Sequence, residues 1–581
     1  RTVVPTMAKY MLHEHGAEEL DYRRASPNPL VRWQMKFEDS FEHVRLGYRD
    51  MLAIFLEYRG LFIVGFFIAC ALSIALLYPW LGQDFFPEVD GGQFKLHVRA
   101  QTGTRIEETA RLCDQIDATI RQTIPHQELV TVIDNIGIPY SGINMSYSNS
   151  ATIGSWDADI LVSLARKHHP TAEYVEKLRK ILVDKYPGVT FYFLPTDMVS
   201  QILNFGLPAP LDIQIVGQNV RANHAFAETM IAKLRQIPGA VDLRIQQAFN
   251  EPNLTVAVDR TRAQQVGYTQ TDVAGNLLVA LSGSFQTSPT FWLDWKNGVS
   301  YAIAVQEPQY RMDTLQDLNN IPIAGSGNAA PQILANVAQI HRGVEAGTVS
   351  HYNVQPVIDI YGSVQGTDLK TVATQIDRIV KDSKKDLPRG TQIMVRGQIQ
   401  TMRSSAIGLF GGLAFSIVLV YLLIVVNFQS WVDPFIIIAA LPAALAGIVW
   451  FLFITGTHIS VPALTGSIMC MGVATANSIL VISFARERMD EGDTALEAAL
   501  SAGYTRFRPV LMTALAMIIG MVPMALGLGD GGEQNAPLGR AVIGGLLFAT
   551  AATLFFVPVF FSLFHHKDEA HPAVSAQEEA L

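Results

Sequence analysis

The chain has 581 residues, 49% of them hydrophobic, and a formal net charge of −9. It is too long for a single domain and too apolar for an ordinary soluble protein. The excess of acidic residues is spread along the chain and argues against a nucleic-acid partner.

The chain begins with an apolar stretch, residues 1–12, that is typical of the end of a membrane helix and not of a signal peptide. This start predicts that the chain was cut from a longer sequence. At the other end, residues 565–581 are predicted to form a disordered tail in the cytoplasm.

Six long uncharged runs follow the opening segment. Each is long enough to cross a hydrocarbon core of about 30 Å as a helix. A large insertion of soluble composition separates the first run from the other five, which lie close together within residues 404–564. The runs cover residues 60–81, 404–427, 432–455, 460–485, 509–528 and 541–564.

Arginines in the short connecting segments predict the orientation of these spans. Arg45, Arg49 and Arg59 precede the first span, and four arginines lie in the loop 486–508. Because basic residues concentrate on the cytoplasmic side, both segments are predicted to lie inside the cell. The large insertion must then be extracytoplasmic.

The insertion contains a repeated pattern of a β-rich run, a turn and an amphipathic helix. In the first repeat, apolar and polar side chains alternate from Phe94 to Arg99, as in a half-buried strand. Thr104 and Glu107 have the spacing of a capping box, which predicts a helix start. Four such repeats predict two α+β sandwiches with residues 282–352 inserted as a separate lobe. The repeats are residues 93–122, 158–193, 210–245 and 356–395.

Several stretches, in this order along the chain, resemble the resistance-nodulation-division efflux transporters. The match runs along nearly the whole chain but covers only the second half of such a transporter. The stretches are "FFPEVDGGQFKLHVRAQTGTRIEETA" (85–110), "SWVDPFIIIAALPAALAG" (430–447), "RFRPVLMTALAMIIGMVP" (506–523) and "FATAATLFFVPVFFSLF" (548–564).

The resemblance implies a multi-spanning α-helical membrane protein with an α+β periplasmic domain, in the bacterial inner membrane. Residues 1–12 then correspond to the end of the sixth of twelve spans, and the six runs to spans seven to twelve. The remaining assignments are a cytoplasmic linker with an interfacial helix (13–59), a first ferredoxin-like porter subdomain (84–205), a second (206–281 and 353–400) and a docking lobe (282–352).

The resemblance also implies a secondary active transporter rather than an enzyme, with no cofactor and no bound metal. Amphiphilic small molecules are its expected substrates, and protons moving the other way its expected energy source. The full-length subunit is expected to form a homotrimer in membrane lipid, with a periplasmic adaptor and an outer-membrane channel as partners. The alternative is a non-pumping scaffold or sensor, or a truncated product without the proton-carrying half.

In this family, acidic residues on the fourth span and a lysine on the tenth form the coupling site. The lysine position is Ala476 here, and the fourth span is not in the chain. Thr475, Asn477 and Ser478 remain as polar groups at that depth. They either line a hydrated coupling path or join helices by hydrogen bonds, as small polar residues do in membranes.

Two further positions match a proton relay on the family's eleventh span, Arg506 and Thr513. Arg506 is equally explained as a cytoplasmic anchor, and Thr513 as a donor between helices. Arg508 precedes Pro509, and this order suits the start of a helix.

The loop 137–155 is rich in glycine, serine and asparagine, with apolar and aromatic side chains interspersed. It matches the family's switch loop, which bounds the substrate pocket, and such adaptable surfaces suit loosely specified ligands. An ordered surface loop is the alternative. The candidate pocket residues are Tyr140, Ile143, Met145 and Tyr147.

Two other features receive structural interpretations. Met469, Cys470 and Met471 are neighbours on a predicted helix and therefore point to different faces, so they are predicted to pack in the core and not to bind metal. Trp292 and Trp295 in the inserted lobe indicate either a protein interface or the core of the lobe itself.

Overall fold

A computed structural model provides the fold and describes residue 7 and residues 29–138, 152–194, 196, 198–204, 207–325, 330–529 and 531–565. The four candidate pocket residues between 140 and 147 lie outside the described residues. So do residues 566–581 of the predicted tail and, apart from Met7, the stretch 1–12.

The helices fall into a cytoplasmic and membrane set and an outer set. In chain order they are α1 (Pro29–Glu57), α2 (Arg59–Leu77), α3 (Ile106–Thr123), α4 (Thr171–Lys185), α5 (Met198–Leu203), α6 (Val220–Leu234), α7 (Arg260–Gln265), α8 (Gln270–Ser282), α9 (Leu315–Asn319), α10 (Leu334–Val337), α11 (Leu369–Ser383), α12 (Gln398–Phe428), α13 (Val432–Ala439), α14 (Leu441–Ile454), α15 (Val461–Asp490), α16 (Ala495–Ala525), α17 (Ala536–Ala551) and α18 (Val557–Phe564).

The described strands all lie between the first and second membrane spans. They are β1 (Gln93–Arg99), β2 (Leu129–Ile136), β3 (Asp157–Leu164), β4 (Thr190–Leu194), β5 (Leu211–Val216), β6 (Ala240–Ile245), β7 (Glu251–Val258), β8 (Thr290–Leu293), β9 (Ser300–Ile303), β10 (Pro322–Ile323), β11 (Gln332–Ile333), β12 (Ala338–Glu345), β13 (Ser350–Tyr352), β14 (Gln355–Val364) and β15 (Gln392–Gly397).

Among the described residues, six helical segments are long and apolar enough to span a membrane, and this confirms the six predicted runs. Their length and composition meet the requirement of about 20 apolar residues for a hydrocarbon core. The segments are Arg59–Trp80, Gln398–Phe428, Val432–Ile454, Val461–Asp490, Ala495–Ala525 and Ala536–Phe564.

The fifth span differs from its prediction at its first turn. A helix start beside Arg508 is wrong, because Pro509 lies inside α16. The helix begins 14 residues earlier, where Thr494 and Glu497 form a capping box. The apolar run does not include these first turns because they contain charged and polar residues.

The first outer unit is a sheet of order β2-β3-β1-β4, with neighbouring strands antiparallel and with α3 and α4 on one face. Phe94, Leu96 and Val98 of β1 are buried against these helices. The capping box predicted for α3 is wrong, because Thr104 donates its hydroxyl to Gln101 O and Arg105 occupies the N-cap without a side-chain cap.

The second outer unit is a sheet of order β13-β14-β5-β15, with β6 paired to β14 and with α6 and α11 against it. Residues 246–349 lie between β6 and the short edge strand β13. Within this insertion, β7 and β12 pair with each other, and the helices between them share a separate core. The hairpin β8–β9 carries the two tryptophans, and Trp295 is 84% exposed, so it does not belong to a core of the lobe.

A polar joint connects the outer units to the membrane helices. Ile459 donates its backbone N–H to Gly82 O at 2.8 Å, and Asp84 donates to Ile459 O at 3.0 Å. The Asp84 side chain accepts from the N–H of Leu369 at 2.8 Å and pairs with His458. The loop before α15, the segment after α2 and the start of α11 are therefore held together at one point.

Candidate functional site

The predicted polar patch of α15 is buried and makes hydrogen bonds to neighbouring helices. Asn477 is 4% exposed, and its Oδ1 accepts from Thr513 Oγ1 of α16 at 2.9 Å. Ser478 Oγ lies 2.9 Å from Thr553 Oγ1, in the π-helical turn Ala552–Phe556 that precedes α18. Thr475 Oγ1 instead donates to Met471 O of its own helix at 2.8 Å.

Arg506 is not part of this patch. It lies seven residues before Thr513 on the same helix, a separation of about 10 Å along the axis. Its guanidinium carbon is 4.7 Å from the centroid of the Phe484 ring. The side chains of Ala476 and Thr513 are exposed, so the polar patch reaches the surface of the described helices beside them.

A buried carboxylate at the ends of the spans away from the outer units was not singled out from the sequence. Asp433 is 1% exposed, and its Oδ2 accepts from Arg486 Nη1 at 3.2 Å. Its Oδ1 lies 3.4 Å from Nε2 of His565, at the end of α18. Arg486, predicted as a cytoplasmic anchor, therefore also ties α15 to α13.

A buried cluster of ionisable side chains lies on the first outer sheet. His97 of β1 is 0% exposed, and its Nδ1 donates to Asp159 Oδ1 of β3 at 2.6 Å. Its Nε2 lies 3.4 Å from Asp157 Oδ2 but has no hydrogen-bond partner. Asp159 Oδ2 is likewise buried without a hydrogen bond. One imidazole therefore stands between two buried carboxylates.

Two cations of β1 partly neutralise these carboxylates. Arg99 donates from Nε and Nη2 to the two oxygens of Asp157, each at 3.0 Å. Lys95 Nζ lies 3.7 Å from Asp159 Oδ2. Burial by itself would raise the pKa of the Asp157 carboxyl, but the nearby His97 and the hydrogen bonds and charge of Arg99 hold that pKa below its usual value.

This face of β1 was predicted to be the open side of a half-buried strand, and that prediction is wrong at His97. Tyr192 of β4 stacks on the imidazole, with ring centroids 4.2 Å apart. Arg244 of β6 in turn lies 3.5 Å above the Tyr192 ring. The second outer unit therefore covers the polar face of the first.

The His97 imidazole and the carboxylates of Asp157 and Asp159 are side-chain types that bind transition-metal ions. Imidazole nitrogen and carboxylate oxygen together suit zinc, cobalt and nickel ions. Across the described part of the chain, however, no three or more His, Cys, Asp and Glu side chains are grouped so that they could already hold a metal ion. At Asp157, both carboxylate oxygens already accept hydrogen bonds from Arg99.

The second outer sheet contains a further acidic pair. Asp212 of β5 and Asp359 of β14 are 0% and 5% exposed, and the Gln214 amide donates to both at 3.0 and 3.3 Å. Burial first, and the neighbouring Asp359 charge second, raise the pKa of Asp212 to about 8. This carboxyl is therefore largely protonated at neutral pH.

The arrangement defines a class of protein: a multi-span membrane protein whose outer α+β units enclose buried charged groups next to their mutual interface. The family model described as AcrB/AcrD/AcrF matches residues 1–565. The chain belongs to this family of resistance-nodulation-division permeases, which confirms the resemblance seen in the sequence.

Curated relatives support the same placement. The chain is 27% identical over 576 residues to the cobalt-zinc-cadmium resistance protein CzcA of Cupriavidus metallidurans, covering 98% of this chain and 51% of that protein. It is 26% identical over 570 residues to the nickel and cobalt resistance protein CnrA of the same organism, covering 96% and 50%. The chain thus spans about half the length of the curated relatives it matches.

Solved structures share the fold. Two crystal forms of a heavy metal efflux pump match with TM-scores of 0.76 and 0.77 and sequence identities of 23% and 24%. Each alignment covers 90% of this chain and 52% of the other. The names of these relatives concern metal ions, whereas the sequence predicted amphiphilic substrates.

Proposed function

We propose that this chain forms half of an inner-membrane efflux permease that exports divalent transition-metal cations. The observation that carries the proposal is the buried cluster of His97, Asp157 and Asp159. A nitrogen and a carboxylate oxygen of this cluster have no hydrogen-bond partner, and a bound ion is one explanation for buried polar atoms in this state. The metal-resistance names of the curated relatives favour the same substrate class.

The remaining parts of the proposal follow the family. The two outer units act as porter subdomains in the periplasm, the second formed by residues 206–245 and 350–400, and the insertion 246–349, which includes the predicted lobe 282–352, acts as a docking lobe for an adaptor and an outer-membrane channel. The exposed Trp295 suits such a contact. Proton antiport supplies the energy, with the Asn477–Thr513 pair beside the proton path and the full-length subunit as a homotrimer.

Deletion of the gene that encodes this chain, followed by complementation with variants, tests the proposal. We expect the deletion to lower tolerance to zinc, cobalt or nickel and to raise the cellular content of that metal, measured by mass spectrometry. His97→Ala and Asp157→Asn should fail to restore tolerance. His169→Ala is the matched control, because this histidine also pairs with a carboxylate but is 68% exposed.

The same strains separate the two substrate classes. Accumulation of an amphiphilic dye should be unaffected by the deletion. If the dye accumulates and metal content stays constant, the substrate is an amphiphile and the metal proposal is wrong.

A further inference from the structure

The His97 cluster is connected to the second outer unit through Arg99. This guanidinium donates to Asp157 and, from Nη1, to the backbone oxygen of Gln246 at 3.1 Å. Gln246 directly follows β6. The position of Arg99 on the carboxylate is therefore coupled to the position of the second unit.

Other contacts across the interface between the units include several polar ones. Arg179 of α4 donates to both oxygens of Asp242 on β6, at 2.9 and 2.8 Å, and also contacts Gln365. Arg244 covers the ring of Tyr192, and the apolar contact is limited to a small cluster that includes Trp156 and Ala248. Interfaces of this kind within a chain allow relative movement of the parts they join.

Arg99 and a cation cannot use the Asp157 carboxylate together. Both oxygens already accept from the guanidinium, and Oδ2 also accepts from the N–H of Ile153 at 3.0 Å. Two positive charges at hydrogen-bond distance from one buried carboxylate would repel each other strongly, because the local dielectric constant is low. A metal ion that binds here has to displace the guanidinium.

We propose that Arg99 is an internal counter-cation that expels the cargo ion. The Arg99 guanidinium leaves Asp157 when the two outer units separate and returns to Asp157 when they close. This deepens the proposed function and rests on it. When the units part, Gln246 O moves away and takes one anchor of the guanidinium with it. His97 Nε2 and Asp157 are then available to a cation, while Asp159 still accepts from His97 Nδ1. Closure restores the anchor, and the guanidinium competes for the carboxylate.

Arg99 is thus a positioning and specificity residue for the cycle and not a ligand. A lysine at this position would keep the charge but lose the two-pronged geometry, since an ammonium is a point charge on a flexible stem. The competition between residue 99 and the metal ion for the Asp157 carboxylate should therefore weaken in Arg99→Lys and disappear in Arg99→Gln.

Metal binding by the purified full chain tests this inference. Zn²⁺ and Co²⁺ are titrated calorimetrically into the detergent-solubilised protein, and secondary structure is monitored by circular dichroism. We expect Arg99→Gln to bind at least tenfold more tightly than the unsubstituted protein, with Arg99→Lys between them. Arg111→Gln removes an exposed arginine–carboxylate pair on α3 and should bind as the unsubstituted protein does.

A covalent link between the units provides a second measurement with Arg99 intact. Cysteines replace Arg179 and Gln365, which contact each other across the interface, and a short bismaleimide joins them. The three natural cysteines are buried and free. We expect the link to weaken metal binding at least tenfold when Arg99 is present and to leave it unchanged in Arg99→Gln.

The outcomes distinguish this inference from the proposed function. If Asp157→Asn abolishes metal binding but neither Arg99→Gln nor the link changes the affinity, the counter-cation role is wrong and the metal site stands. If no variant, including Arg99→Gln, binds either ion in a manner that depends on His97, both the metal site and the role of Arg99 are wrong.

Discussion

Asn477 shows how hydrogen-bond partners determine the free-energy cost of burying a polar side chain in a membrane. A buried amide without a partner is expensive in hydrocarbon, where water cannot satisfy it. Its Oδ1 accepts from Thr513, and the neighbouring Ser478 pairs with Thr553. Both bonds join helices, but only the first reaches the surface of the described helices, at the exposed Thr513.

We expect Asn477→Ala to lower metal efflux at least tenfold while changing the free energy of unfolding by only ~0.6 kcal/mol, the average for a hydrogen bond between membrane helices. The reason is its proposed place beside the proton path. Efflux from cells is compared with the yield and thermal stability of the purified protein.

Thr553→Val is the matched control, since it removes the other interhelical pair and leaves the Asn477–Thr513 pair in place. It should retain efflux. If the two variants lower efflux equally and in proportion to their yield, Asn477 serves helix packing alone.

Sequence alone located the helical spans but not the His97 cluster. The spans are found because bilayer thickness sets a length of about 20 apolar residues. The cluster depends on the antiparallel register that places His97 opposite Asp159 and Arg99 opposite Asp157. Strands 60 residues apart give no register signal in a single sequence. The one available hint was a histidine and two aspartates at alternating positions on strands of neighbouring repeats.

At the scale of elements, close helix contact in the membrane part depends on small residues. Gly447 of α14 and Gly544 of α17 face each other, and a Cβ at Gly544 would lie 2.6 Å from the backbone oxygen of Gly447. A backbone atom cannot move aside without shifting its whole helix. Lipid-embedded helices rely on such approaches, because packing and not water exclusion drives their association.

Gly544→Ala is therefore expected to destabilise the protein by about 1–3 kcal/mol, the usual cost of overpacking a core. The melting temperature in detergent, followed by circular dichroism, measures the effect. Gly520→Ala on α16 is the matched control, because no atom lies within 4 Å of its Cβ position. Equal melting temperatures for the two variants would contradict the close-contact argument.

The first and last residues of a helix could be predicted only where the amino-acid composition changes at the end of that helix. The apolar run of the fifth span stops at its cytoplasmic boundary, but the helix continues through residues 495–508. Thr494 and Glu497, which cap its true start, lie before the apolar run, so the run alone did not include them. Proline is compatible with a helix interior in membrane proteins when neighbouring groups satisfy the freed carbonyl.

At the scale of the whole molecule, the joint at Asp84 and His458 links the membrane helices to the second outer unit. The hydrogen bond to Asp84 is the main reason that the pKa of His458 is raised above 6.5; burial opposes it, and the charges of Asp84 and Asp368 add to it. A raised pKa in the folded protein means that the protonated form stabilises the joint. This stabilisation is fully present below about pH 6.5 and is lost as the pH rises through the raised value.

We therefore expect amide exchange at the start of α11 to accelerate, relative to its intrinsic rate, as the pH increases from about 6 to about 9. Hydrogen exchange with mass spectrometry over residues 366–374 measures it. His458→Gln should remove the pH dependence, and the exposed His169→Gln should keep it. A pH dependence that persists in His458→Gln would show that the joint does not titrate through this residue.

The joint also gives α15 a mechanical role. A helix of 30 residues is a stiff rod about 45 Å long. Its outer end is fixed by the paired backbone of Ile459 and Gly82. We expect a displacement of α15 along its axis to reach α11 through these hydrogen bonds, and a rotation about the axis to be taken up by the loop before α15. The outer units would therefore respond to translation of this helix and be insensitive to its twist.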